Sequence, residues 1–281
     1  MTTVANGWRG HLALHYSRDG ERTIALDRHS GPLRVLRRLY PEGPGICHHV
    51  LMHPPGGIVG GDVLELDAVL DVDTHAVITT PGATRFYRSA GPWALQQTTL
   101  TLAAGARVEW LPLETIAYSG CLAENRLQLQ LARGAEAMGW DVLALGLPAA
   151  DAAFNSGSYR HHLELPGVWL ERGQIDASDH ALLNSLLGFA GHRVLATLWF
   201  AAGSAMPAAK RDALLNGARE LAAGDSLQAT TGATSPHPQV VVLRTLAHRV
   251  EPAMALLQRA RAAWRQAAWQ LAGNPPRIWK T

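Results

Sequence analysis

Seven residues, "CHHVLMH" at 47–53, bring together Cys47, His48, His49 and His53, and thiolate with imidazole is a ligand set for zinc or nickel. If the stretch is a strand, side chains alternate between its two faces, so His49 and His53 share one face, Cys47 can join them, and His48 points away. Such a site is incomplete, and a zinc or nickel centre here needs further ligands from His75, His161 or His162. The competing reading has these histidines packing and hydrogen-bonding inside a sheet, because complete sites show tighter ligand spacing.

Acid–base chemistry needs a carboxylate in a controlled environment. Glu65, Asp67, Asp71 and Asp73 alternate with Leu64, Leu66, Leu70 and Val72, a pattern that a solvated strand face explains. Glu114 in "WLPLETI" differs, because a charge in an apolar setting is costly unless it is paired. Arg85 or Arg88 in "TTPGATRFYRS" can supply that pairing, as a structural salt bridge or as part of a reactive cluster. Cys121 in "YSGCLAEN" is either a nucleophile with a histidine beside it in space or a small buried thiol.

"LMHPPGGIVGGD" (51–62) asks whether a glycine loop cradles phosphate. Phosphate loops of nucleotide hydrolases add a Lys-Ser or Lys-Thr pair. Of the only two lysines, Lys210 lies between Ala209 and Arg211, and Lys280 has Thr281 after it but no glycine loop before it. The G-x-G-x-x-G fingerprint is absent, and a strand pattern follows Asp62 where an anion-binding helix should start. A serine-hydrolase elbow fails too, since Ser226 has Gly224 two positions before it but Gln228 two after. The stretch therefore reads as a turn: Gly56, Gly57, Gly60 and Gly61 permit unusual backbone angles or close approach, and Asp62 caps neighbouring amides.

The elements that must position these residues are mostly strands. Period-two alternation marks 62–80, 98–110, 126–132, 161–173, 193–203 and 239–246, punctuated by glycine turns. Helices are predicted over 206–223, from Pro207 to Gly224, and over 252–271, where Leu256, Leu257, Ala260, Trp264, Ala267 and Leu271 form one stripe before "GNPP". Trp269 lies off that stripe and is a candidate partner anchor; Trp279 either packs on the body or orders in a complex. A shorter helix is expected within "DHALLNSLLGF". With no repeat, low-complexity tract or linker, residues 1–281 read as one domain.

Composition narrows the classes further. Two cysteines provide no disulfide framework, so both read as free thiols. A net charge of +2 with scattered arginines argues against nucleic acid. No apolar run reaches the ~18 residues of a membrane span, and the N-terminal stretch lacks a signal-peptide core, so a cytoplasmic protein is expected.

Several stretches together, "LMHPPGGIVGGD", "TTPGATRFYRS", "VEWLPLETI", "WDVLALGLPA" with Phe154 and Gly157 after it, and "PPRIWKT", resemble the urease accessory protein family UreD, also called UreH. The likeness runs in order from "GPLRVLRRLYPEG" near residue 31 to the last residue. It implies a mainly β fold, β-helix-like stacked strands with a small C-terminal helical part. It also implies a cytoplasmic, non-enzymatic maturation factor that binds urease apoprotein and works with UreF and the GTPase UreG, the latter through UreF, to install nickel. No cofactor is then held tightly, and nickel is transient cargo. A water-filled passage for nickel has been proposed in this family, and Asp62, Tyr87 and Glu114, with Arg85 and Arg88, are candidates for its polar lining or for a buried network. The sequence departs from the family pattern at Arg85 (lysine is common), Leu113 (glutamine), Leu147 (arginine) and Asp141 (glutamate). The alternative reading is an enzyme on a β-helical scaffold, a metal-assisted hydrolase or lyase using Glu114 with Arg85 and Arg88.

Overall fold

Alternation is obeyed residue by residue: along Val63–Leu70, Leu64, Leu66, Ala68 and Leu70 are buried while Asp67 and Val69 face solvent. The computed structural model describes residues 7–147 and 150–280. A hairpin, β1 (Arg9–Asp19) and β2 (Arg22–Ser30), is followed by the antiparallel pair β3 (Arg34–Leu39) and β4 (Ile46–Met52). The chain then winds in coils. One coil is β5 (Val63–Leu70), β6 (His75–Thr79) and β7 (Thr84–Phe86); the next is β8 (Ala94–Leu102), β9 (Arg107–Leu111) and β10 (Thr115–Ala117). The third is β11 (Leu122–Leu131) and the long β12 (Glu136–Leu147), whose two ends pair parallel with β9 and with β10.

Corresponding strands stack in parallel, giving the expected β-helix-like body. β1, β5, β8, β11 and β14 (Ser158–Leu165) form one wall, and β4, β6, β9 and β12 the other. β13 (Ala152–Ala153) pairs with the end of β12, and β15 (Trp169–Asp176) closes the first wall into a seven-stranded sheet. β16 (Val194–Ala202), β17 (Thr231–His237) and β18 (Val240–Ala247) extend the second wall antiparallel. Between the walls lies a dry core that includes Leu12, Leu66, Leu100, Leu129, Ile78, Val108 and Trp199.

The other face of the larger sheet is covered by α2 (Ala208–Ala223) and α3 (Val250–Trp269), while α1 (His180–Asn184) is the expected short helix. α3 begins two residues before the predicted start, so Pro252 occupies its first turn, where a missing N–H costs no helical bond. Its stripe packs as expected through Leu256, Leu257, Ala260 and Trp264, all fully buried, and the Trp264 indole donates to the Leu214 carbonyl of α2 at 2.9 Å; Ala267, predicted on the same stripe, is exposed, and Trp269 takes the buried position near the helix end. Trp269 is no exposed anchor: it is buried against Phe200, and its indole donates to Glu136 at 2.7 Å. Trp279 also packs on the body, against Trp140, and donates to Thr79 Oγ1 at 2.9 Å. Among the described residues no helix is long and apolar enough to cross a membrane.

Candidate functional site

The glycine-rich stretch after β4 is a compact turn beside the gap between the walls. Gly56 (φ +77°) and Gly61 (φ +94°) adopt left-handed backbone that favours glycine. Gly57 and Gly60 have no room for a side chain: an added Cβ would sit 2.0 Å from the Tyr87 ring in one case and from Ser89 Oγ in the other. Asp62 caps this turn. It is 8% exposed and accepts from the Trp8 and Val59 amides at 2.7 and 3.0 Å.

Beside the turn a cavity of about 240 Å³ opens between the walls, lined by Leu33, His53, Ile58, Arg85, Gln96 and Trp110 among others. A narrower space of about 20 Å³, room for a single water, abuts it and shares Thr84, Gln96, Thr98, Trp110 and Pro112 with it. From there a polar column leads across the first wall, because strand register sets Gln96, Asn125 and His161 side by side. Gln96 donates to Asn125 at 3.4 Å, Asn125 to Asp141 at 3.3 Å, and His161 Nδ1 lies 3.3 Å from Asp141 Oδ2. Burial by itself favours neutral His161, but attraction to Asp141 outweighs it and raises the imidazole pKa. On the second wall Asp141, Thr197 and Arg244 align, and Arg244 forks onto both carboxylate oxygens of Glu171 at the partly exposed edge.

The residues picked out from sequence scatter around this axis. Arg85 and the turn glycines Gly56 and Gly57 line the larger cavity; Asp62, Tyr87, Arg88 and Glu114 line neither space. Tyr87 is 37% exposed and packs on Tyr118, with ring centroids 4.9 Å apart. The expected pairing of Glu114 is not made: it forms no ion pair with Arg85 or Arg88 among the described residues, and both arginines are exposed. Glu114 instead serves through its backbone carbonyl, which accepts from the Thr84 amide at 2.9 Å where β7 begins.

Nor do Cys47, His49 and His53 converge; among the described residues no three His, Cys, Asp or Glu side chains are placed to hold a metal. Cys47 and His49 share the inner face of β4, buried. Tyr16 hydroxyl lies 2.6 Å from His49 Nδ1, and burial, reinforced by Arg38, pushes the His49 pKa down to about 4. His48 faces the opposite side and bonds Glu42 at 2.9 Å. His53 sits just beyond the strand, half-buried at the cavity, with its pKa lowered by burial. Cys121 is fully buried among apolar neighbours, the small buried thiol of the two readings, and burial pushes its pKa up to about 12.

Comparison with known proteins now decides the family. A family profile described as UreD urease accessory protein matches residues 8–280. A urease accessory protein UreD of Leptothrix cholodnii is 62% identical over 276 residues, covering 98% of this chain and 99% of that protein. The UreD proteins of Paracidovorax citrulli and Variovorax paradoxus are each 57% identical, covering 97% and 98% of this chain and 99% of their own. This chain belongs to the UreD urease accessory protein family.

Within this UreD chain the departures take definite places. Leu113 and Leu147 are half-buried and pack against the core under the helices, while Asp141 carries its carboxylate into the polar column. Pro148 and Ala149, which end the "WDVLALGLPA" stretch, lie outside the described residues.

The strongest electrostatic feature was missed by sequence reasoning. Glu109, not Glu114, is the buried carboxylate of "VEWLPLETI", at 0% exposure. Arg261 of α3 reaches it with Nε at 2.7 Å and Nη2 at 2.6 Å; Arg265 Nε lies at 3.1 Å and His75 Nε2 at 3.4 Å. Arg265 continues to Glu42 at 2.8 Å, which holds His48. Burial acts to raise the Glu109 pKa, but Arg261, His75 and Arg265 hold it down at about 2. The legible signal was two arginines four apart in α3, about one helical turn, each directly after a residue of the apolar stripe, Ala260 and Trp264.

Proposed function

We propose that this chain is a urease maturation factor without turnover of its own: a cytoplasmic scaffold that binds urease apoprotein and, with UreF and through it the GTPase UreG, enables nickel insertion. Its part in delivery is to offer nickel a way between its two walls. The observation that carries this reading is the cavity of about 240 Å³ that continues, through shared lining residues, into the column Gln96, Asn125, Asp141 and His161. These are oxygen and nitrogen donors, which suit a borderline divalent ion, and they are few, which suits cargo that must leave. Nickel is substrate here and not a resident cofactor.

A scaffold role also fits the rest of the site. The glycine turn is occupied with its own packing, the thiols are buried, and among the described residues Glu114 forms no ion pair with Arg85 or Arg88. Co-expression with UreF and UreG tests the reading: the chain should purify in a stable complex with UreF and recruit UreG only when UreF is present. Purified partners that never associate, even on co-expression, would overturn it.

A further inference from the structure

The pair Asp141 and His161 is not explained by packing. His161 Nδ1 is buried and lies 3.3 Å from Asp141 Oδ2, within ion-pair distance but without the alignment of a hydrogen bond. Both side chains are mostly withdrawn from water, at 21% and 17% exposure. A buried imidazole and carboxylate that face each other without good hydrogen-bond alignment keep lone pairs that a bridging ion can use.

We propose that Asp141 and His161 form a two-ligand waypoint for a divalent transition-metal ion at the neck between the interior cavity and the open edge of the sheets. The inference rests on the passage reading above. Two donors at ~2.1 Å from one metal stand about 3 Å apart at a right angle and about 3.4 Å apart in a tetrahedron. The 3.3 Å separation of Nδ1 and Oδ2 therefore needs little movement to admit an ion. Asn125 supplies a third donor by exchanging its amide ends; its present bonds, 3.3 Å to Asp141 and 3.4 Å from Gln96, are both long and cheap to give up.

Charge sets both the entry and the release. Asp141 supplies the negative charge that draws a cation into a poorly hydrated neck, and His161 adds a nitrogen that favours nickel, cobalt or zinc over magnesium or calcium. Beyond the waypoint, Glu171 neutralises Arg244 through its fork, so the arginine does not confront the ion with an unopposed positive charge. One carboxylate, one imidazole and one amide, completed by water, hold an ion more weakly than the closed four-ligand cages of structural sites. Weak holding is what a point of transit requires.

The test uses the full chain, with no affinity tag of histidines, titrated with nickel by calorimetry and with cobalt by visible absorption. Wild type should bind one ion whose affinity falls by more than about tenfold in Asp141→Asn and in His161→Gln, and cobalt should lose its ligand-field bands in both. Asp141→Glu, which keeps the carboxylate, should retain binding and serves if the other variants unfold. Binding unchanged in folded Asp141→Asn and His161→Gln, or no binding by wild type at millimolar metal, would overturn the site. No urease takes part, so the two readings fail separately. A chain that supports urease loading but binds no ion here loses the waypoint alone; one that binds here but leaves loading unaffected loses the maturation role.

Discussion

Glu109→Gln offers the most quantitative probe of how the helices are fixed to the stacked strands. The substitution keeps shape and removes one charge, leaving Arg261 and Arg265, at 1% and 0% exposure, to share Glu42. Breaking a buried ion pair from one side costs roughly 3–5 kcal/mol, because the remaining charge stays in a poorly solvated place. Proton linkage gives a similar figure. A carboxyl at about 2 in the folded chain against a reference of 4.5 contributes about 3 kcal/mol, at 1.36 kcal/mol per unit. Because the folded pKa is depressed, this contribution is fully present above about 4.5 and is lost as pH falls through about 2. Urea unfolding followed by circular dichroism from neutral to strongly acid pH should show the variant about 3 kcal/mol less stable at neutral pH, with a shallower acid slope. A double-mutant cycle with Arg261→Met should give a coupling above about 1 kcal/mol. A Glu109→Gln protein within about 1 kcal/mol of wild type, with the acid slope unchanged, would refute the reasoning.

Other perturbations separate local causes. His49 is neutral in the fold, with its pKa pushed from 6.5 to about 4, so its contribution is complete above about 6.5 and is lost as pH falls towards 4, by about 3 kcal/mol at most. His49→Gln should therefore remove one proton's worth of acid dependence in that window, and an unaltered slope would contradict it. Gly60→Ala should cost more than about 1 kcal/mol, since the new methyl meets both Ser89 and Pro92, whereas Gly82→Ala, with open space around it, should be close to neutral. Asp62→Ala should lower the unfolding temperature by orphaning two amides, at about 1–3 kcal/mol, with nickel affinity untouched. A selective loss of nickel binding at unchanged stability would return Asp62 to the passage.

Much of the fold was legible because burial on one side of a strand leaves a period of two. The runs at 62–80 and 161–173 each resolve into strand, turn and strand, and the helices fall within two residues of their predicted bounds. Register was not legible. Gln96, Asn125 and His161 are separated by dozens of residues and become neighbours only through the parallel stacking of β8, β11 and β14. Their polarity at inward positions was present in the sequence, but alternation alone does not say which strands lie side by side. Glu109 was overlooked for a related reason: its partners Arg261 and Arg265 arrive from α3, more than 150 residues later, and nothing local to Glu109 points to them. The pair expected around Glu114 failed because Arg85, on β7, and Arg88, two residues beyond it, are both exposed.

The most direct test of the maturation role is nickel content per active site, measured with urea hydrolysis, in urease apoprotein expressed with UreF, UreG and the other accessory proteins, with and without this chain. Both quantities should rise only when the chain is present. Urease that loads nickel and hydrolyses urea equally well without it would contradict the proposed function.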